Sequence, residues 1–223
     1  MPGRNVVKTY YEDGYYHLYN RGVDKRSIFM DQQDCKYFLS RLRLYLSTIE
    51  ELALEAKDDK ELISLSRRNL SKEVDLLAFA LMPNHFHLQI RQHTKDGITK
   101  FMRRMLTSYS MYFNRKYKRI GALFEQRYKA VLVATDEQLL HLSRYIHLNP
   151  YELEHEIDFK QFTSLPYYLG KMSPSWIKPQ EIVSYFSHFS SNKKPQGKIS
   201  YENFVMDYKV EEGISLGLDM FEE

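Results

Sequence analysis

The sequence predicts an α+β fold, an antiparallel sheet covered by helices. Three observations carry that expectation. Val74 to Met82 and His85 to His93 are strand-like runs parted only by Pro83-Asn84, Tyr15 to Gly22 is an aromatic run ending in the turn-forming Asn-Arg-Gly, and long stretches of near-helical apolar spacing lie between and after them.

Taken in order, Tyr15 to Gly22 is the first strand, because Tyr is favoured there. Its tyrosines either pack in a sheet or stack on bases, and packing is the commoner fate. From Asp34 to Ile49, Tyr37, Phe38, Leu42, Leu44, Tyr45 and Leu46 recur at helical spacing. Residues 50–72 are dense in both charges without a sustained apolar face, which reads as a charged helical insertion. Val74 to Met82 and His85 to His93 then form an antiparallel pair. The second of these alternates, with Phe86, Leu88 and Ile90 on one face and His85, His87, Gln89, Arg91 and His93 on the other. Such a strand suits a sheet with helices on one side and solvent or substrate on the other. Ile98 to Lys118 is a second main helix, Tyr128 to Ala134 a short strand, and Thr135-Asp136-Glu137-Gln138 a capping box that opens a third helix. That helix ends near Asn149, before Pro150. Beyond it, Ile177 to Phe189 is expected to be helical and 190–197 a flexible link.

At 223 residues the chain accommodates one domain with elaborations. The expected division is a catalytic domain over residues 1–155 and a mainly helical extension over 156–223. No apolar run reaches membrane-spanning length, Met1 to Arg4 begins no secretory signal, and the single Cys35 excludes an internal disulfide and any cysteine-rich zinc site. A cytoplasmic protein is expected.

The net charge of +3 conceals a block: eleven Lys or Arg against two acids between His85 and Thr135, but seven Lys against twelve acids after Pro150. A basic block implies a polyanion, of which nucleic acid is the commonest. In the second main helix and its tail, Lys100, Arg103, Arg104, Arg115, Lys116, Lys118 and Arg119 have no acid interleaved among them and are expected to meet phosphates. Lys193, Lys194 and Lys198 could add contacts, although a solvated loop is the default.

His85 and His87, one residue apart on a strand, can hold a metal ion through two imidazole nitrogens; from spacing alone a solvated face bearing two histidines is an equal reading. On the third helix Leu139, Leu142 and Ile146 make the buried stripe, while His141, Tyr145 and Asn149 recur every four residues on another face. By itself Tyr145 reads as a tyrosine at the core edge. His141 and His147 stay ambiguous: His141, one turn from Tyr145, either touches the phenol or phosphate or, more commonly, is a satisfied surface histidine, and His93 is too distant to share a metal. A tyrosine attacking a phosphodiester must shed a proton held with a pKa of about 10, and a metal aids by screening the phosphate. The product is a phosphotyrosine, which a later strand end can attack to rejoin DNA without ATP.

Four stretches, Tyr16 to Arg26, Met82 to Leu88, Leu123 to Lys129 and Arg144 to Pro150, resemble in order those of single-tyrosine HUH transposases, and most of all the REP-associated tyrosine transposases. The resemblance implies a ferredoxin-like or RRM-like sheet and action on single-stranded DNA folded into hairpins with Mg²⁺ or Mn²⁺. It implies that His85 and His87 bind metal, that Tyr145 is the nucleophile, and that Asn149, where related insertion-sequence enzymes often carry glutamine, completes the metal site. The candidate DNA contacts are then Asn20, Arg21, Lys25 and Arg26 in the first stretch, Arg127 and Lys129 in the third, and Arg103, Arg104, Arg115, Lys116, Lys118 and Arg119 between. A monomer or a homodimer fits equally. Two rival readings stand beside this one: a domesticated hairpin-binding protein without catalysis, and a replication initiator or relaxase.

Overall fold

The computed structural model describes residues 10–188 and 200–207. Strands β1 (Tyr15–Arg21), β2 (Val74–Met82), β3 (His85–Gln92) and β4 (Lys129–Val133) pair antiparallel in one sheet of order β2-β3-β1-β4. Between β1 and β2 run α1 (Gln32–Leu46), α2 (Ile49–Glu55) and α3 (Asp59–Ser66), and between β3 and β4 runs α4 (Gly97–Lys116). Strand-helix-strand units flanking a tight hairpin, in that strand order, make the α+β, ferredoxin-like sheet. After β4 come α5 (Asp136–Leu148), α6 (Leu165–Tyr168), α7 (Gln180–His188) and α8 (Tyr201–Met206). The expected link over 190–197, Lys193, Lys194, Lys198, Phe189 and the N-terminal Met1 to Arg4 lie outside the described residues.

Alternation assigns the two faces. Tyr16 and Leu18 of β1 and Phe86, Leu88 and Ile90 of β3 join Phe38 and Leu42 of α1 and Phe101, Met105 and Tyr109 of α4 in one core. The opposite face is not open, as the polar alternation of β3 suggested. Tyr19, Ala80, Val131 and Val133 pack there against Leu139, Leu142 and Ile146 of α5 and against Ile182, Tyr201 and Val205 of α7 and α8. A bulge between Leu76 and Ala78 of β2 puts both Leu77 and Ala78 on this second face. The residues that looked solvated on β3 anchor the second layer instead: Gln89 donates through Nε2 to the Leu139 carbonyl at 2.9 Å, and Arg91 pairs with Glu181 of α7 at 3.2 Å. Thr163 and Ser164 cover the β2 edge, with Ser164 N donating to the Phe79 carbonyl at 2.9 Å.

The expected cap of α5 is present, with one shift. The Thr135 hydroxyl accepts from Gln138 N, but the Gln138 side chain accepts from Ala134 N, one residue before the cap. After β1 the chain turns at Gly22, whose amide donates to the Asn84 carbonyl at 2.8 Å. A Cβ on Gly22 would sit 2.3 Å from the Arg26 carbonyl oxygen and 2.8 Å from Ile28 Cγ2. Because the nearer atom is backbone, Gly22→Ala should cost about 1–3 kcal/mol. A urea midpoint unchanged from wild type would contradict that packing.

Candidate active site

The hairpin β2-β3 and the neighbouring strand β1 bring three histidines together. Register sets His87 opposite Tyr19 of β1 and Ala80 of β2, His85 opposite Arg21 and Met82, and His17 opposite Gln89. His17, the residue that sequence reasoning missed, lies on the same face as His87 and stacks on it at 5.0 Å between centroids, with Nε2 2.9 Å from His87 Nδ1. The legible hint was its place in the aromatic strand, two residues before Tyr19 on one face.

Helix α5 delivers Tyr145 to this cluster within the same chain. Its ring stands edge-on to His87 at 5.5 Å between centroids and to His17 at 6.3 Å. Its placement follows from the buried stripe Leu139, Leu142 and Ile146, which seats the helix on the second sheet face and turns Tyr145 toward the histidines. His147 is held from behind. It is fully buried, with Nε2 2.6 Å from Ser164 Oγ and Nδ1 2.8 Å from the Tyr201 hydroxyl. His141 is half-buried beside Arg144, and His93 pairs with Asp75 at 2.7 Å, away from the cluster.

Burial keeps these imidazoles neutral. It pushes His85 down to about 4, aided by the charge of Arg21; His17 down to about 3, aided by His85; and His87 well below its ordinary value. A neutral imidazole is the form that binds a metal. His85 Nδ1 lies 2.7 Å from Asn84 Oδ1, so with the proton on Nδ1 its Nε2 carries the free lone pair. His87 Nε2 is buried with no hydrogen-bond partner, as is Nδ2 of Asn149 at the end of α5. A half-turn of that amide would present an oxygen acceptor instead. Among the described residues no three His, Cys, Asp or Glu side chains form a metal-binding group. Two imidazoles and an amide are donor types that suit a divalent cation.

The candidate DNA contacts divide by position. Arg21 is opposite His85, Lys25 and Arg26 follow in the next turn, and Lys129 lies opposite Tyr19, with its ammonium 5.6 Å from that ring centre. Exposed Arg127 precedes it. Asn20 is buried and donates to the Gln126 carbonyl at 3.3 Å, so it holds the loop that bears Arg127. An open cavity of about 510 Å³ beside these residues is lined by Val23, Asp24, Lys25, Glu125 and Gln126.

Helix α4 packs on the other side of the sheet, and its cations are not all unopposed. Lys116 binds Asp31 and buried Asp34, each at 2.7 Å, Lys100 binds Glu73 at 2.9 Å, and Arg104 donates to the Arg68 carbonyl at 2.6 Å. The acids that neutralise them come from other parts of the chain, beyond the reach of a local charge count. Arg119 bonds Asn114 at 3.1 Å, while Arg103, Arg115 and Lys118 are exposed. A helix rises about 1.5 Å per residue, so Arg103 and Arg115 lie roughly 18 Å apart.

Among the described residues no helix is long and apolar enough to cross a membrane. No curated protein matches the chain. One solved structure, described as the REP associates tyrosine transposase bound to a REP hairpin, aligns at 11% identity with a TM-score of 0.47, over 79% of this chain and 92% of that one. A family model described as "Transposase IS200 like" matches residues 45–149, a span that contains His85, His87, Tyr145 and Asn149. Over that segment, slightly less than half of its length, the chain is similar to IS200-like transposases.

Proposed function

We propose that the chain is a metal-dependent single-stranded DNA transposase or nuclease that cleaves and rejoins hairpin-bearing DNA through a phosphotyrosine at Tyr145. The observation that carries the reading is the edge-on approach of Tyr145 to His87 in one chain, beside a buried imidazole nitrogen with no partner. The family match over the same segment supports it.

In this reading His85 and His87 would hold Mg²⁺ or Mn²⁺ through imidazole nitrogens and Asn149 would contribute its amide oxygen. The bound cation supplies charge neutralisation at the scissile phosphate. Arg21, Lys25, Arg26, Arg127 and Lys129, at the same end of the sheet, steer and seat the phosphodiester backbone. The Tyr145 oxygen attacks phosphorus, its proton leaves to solvent, and the bond to the sugar oxygen breaks as that oxygen takes up a proton. Resolution reverses these steps with a strand-end hydroxyl as nucleophile. Arg103, Arg104, Arg115, Lys116, Lys118 and Arg119 belong to a second, more distant set of contacts, in which Lys116 contributes least because it is already paired.

The test is to incubate the protein with end-labelled hairpin-bearing single strands and Mg²⁺ or Mn²⁺, then denature. Label that migrates with the protein is expected, and is expected to vanish with a chelator. Tight hairpin binding without any adduct, across a randomised set of flanking sequences, would instead favour a binding-only protein.

A further inference from the structure

The geometry points to Ile120 as a cap for DNA: its side chain covers the open base-pair face at the foot of a hairpin, where the stem gives way to single strand. This rests on the reading of the chain as a protein that acts on hairpin-bearing DNA, and it names the part of the substrate that the loop after α4 engages.

Ile120 is 98% exposed, the most exposed of the large hydrophobic side chains among the described residues. Single exposed apolar residues are common. Ile120 differs from them in three respects. It stands at the tip of a stapled turn: Arg119 N donates to the Asn114 carbonyl at 2.8 Å, Asn114 Nδ2 to the Gly121 carbonyl at 2.9 Å, and Arg119 Nη1 to Asn114 Oδ1 at 3.1 Å. Gly121, at φ +96°, reverses the chain in a conformation that other residues disfavour, and nothing lies within 4 Å of where its Cβ would be. The tip therefore projects in a fixed conformation, and little ordering entropy is lost on binding.

The second respect is charge. Arg115 and Lys118 are exposed, Arg119 precedes the tip, and the nearest acid along the chain is Glu125. The third is position. Phe124, four residues on, bridges Gly22, and Glu125 N donates to the Arg21 carbonyl at 3.0 Å, where Arg21 is the residue opposite His85. At most about 14 Å of chain separates Ile120 from Phe124, so the turn joins the cations of α4 to the end of the sheet that bears the histidine pair.

A polyanion that presents an apolar face fits all three. Within a stem each base pair is stacked on both sides, and inserting a side chain costs unstacking; the last pair before single strand is open on one side. An isoleucine laid on that face removes apolar surface from water while Arg115 and Lys118 meet the flanking phosphates. The single strand then leaves toward Arg21 and the histidines.

The probe is a labelled hairpin selected on the wild-type protein from a pool with randomised stem and flanks, with 2-aminopurine as its first unpaired nucleotide. Binding is followed by anisotropy over a range of salt. Ile120→Ala should lower affinity about 10-fold or more at every salt concentration without changing the slope of log K against log salt, and Ile120→Phe should restore it. Lys118→Ala should instead reduce that slope by about one. The 2-aminopurine, displaced from the stem end by Ile120, should brighten with wild type and stay quenched with Ile120→Ala. Leu54→Ala, which trims an 88% exposed side chain from the acidic α2, should change neither signal. Wild-type affinity in Ile120→Ala, or a loss that alters the salt slope, would overturn the cap and leave the hairpin reading standing. No hairpin recovered from the pool would overturn both. Ile120-dependent binding to phosphatidylglycerol vesicles, with hairpin affinity unchanged, would assign the tip to a membrane surface and overturn the cap.

Discussion

Tyr145→Phe should abolish the covalent protein-DNA adduct while leaving hairpin affinity and thermal stability close to wild type. The substitution removes one oxygen. The ring that stands edge-on to His87 and His17 remains, and the helix that carries it is seated by Leu139, Leu142 and Ile146, none of which changes. A phenyl ring has no nucleophile, so adduct formation should drop by at least about 10³-fold. The comparison is made on the same gel, with matched melting curves and binding isotherms. An adduct that persists would move the nucleophile elsewhere. Tyr19 is the next tyrosine to examine, because its ring lies 6.0 Å from His87 and packs on His17.

The second large effect is acid sensitivity. His17, His85, His87 and His147 are all held neutral by burial, with His147 and His17 lowered to about 3 and His85 to about 4. In the unfolded chain they titrate near 6.5. Below that pH the unfolded state takes up protons that the folded state refuses, so stability is fully present above about 6.5 and falls as pH drops toward 4. Each such histidine contributes a slope of up to about 1.4 kcal/mol per pH unit. Four of them together remove at most about 6–11 kcal/mol over one to two units below 6.5, enough to unfold a domain in the lower part of the typical range of about 5–15 kcal/mol. Urea midpoints measured between pH 8 and 4.5 check this. His147→Gln, which removes the one such histidine outside the cluster, should make the fall about a quarter less steep. A flat profile would mean that these rings accept protons in the folded state.

Strand and helix identities follow from local periodicity, and so are legible in the amino-acid sequence: β2 coincides with its expected span, β3 ends within a residue of it, and Thr135 caps α5 as its hydroxyl predicts. The pairing of His85 with His87 on one face follows from the two-residue repeat of a strand, and that of His141, Tyr145 and Asn149 from the four-residue repeat of a helix. These are properties of a few adjacent residues, which is why the chain alone determines them.

What the chain alone left open depends on which surfaces meet. A polar alternation on β3 is compatible with solvent or with a second layer of helices. Only packing shows that α5, α7 and α8 cover it and that Gln89 and Arg91 bind them. The cations of α4 look free because the acids that pair with Lys100 and Lys116 are 27 and more than 80 residues away in sequence. His17 and His87 are 70 residues apart, and nothing local to either foretells a shared proton. Sequence determined the elements, the candidate site residues and the family resemblance. Tertiary structure decided the partners, because an antiparallel register and a buried helix face bring together side chains that the covalent chain keeps far apart.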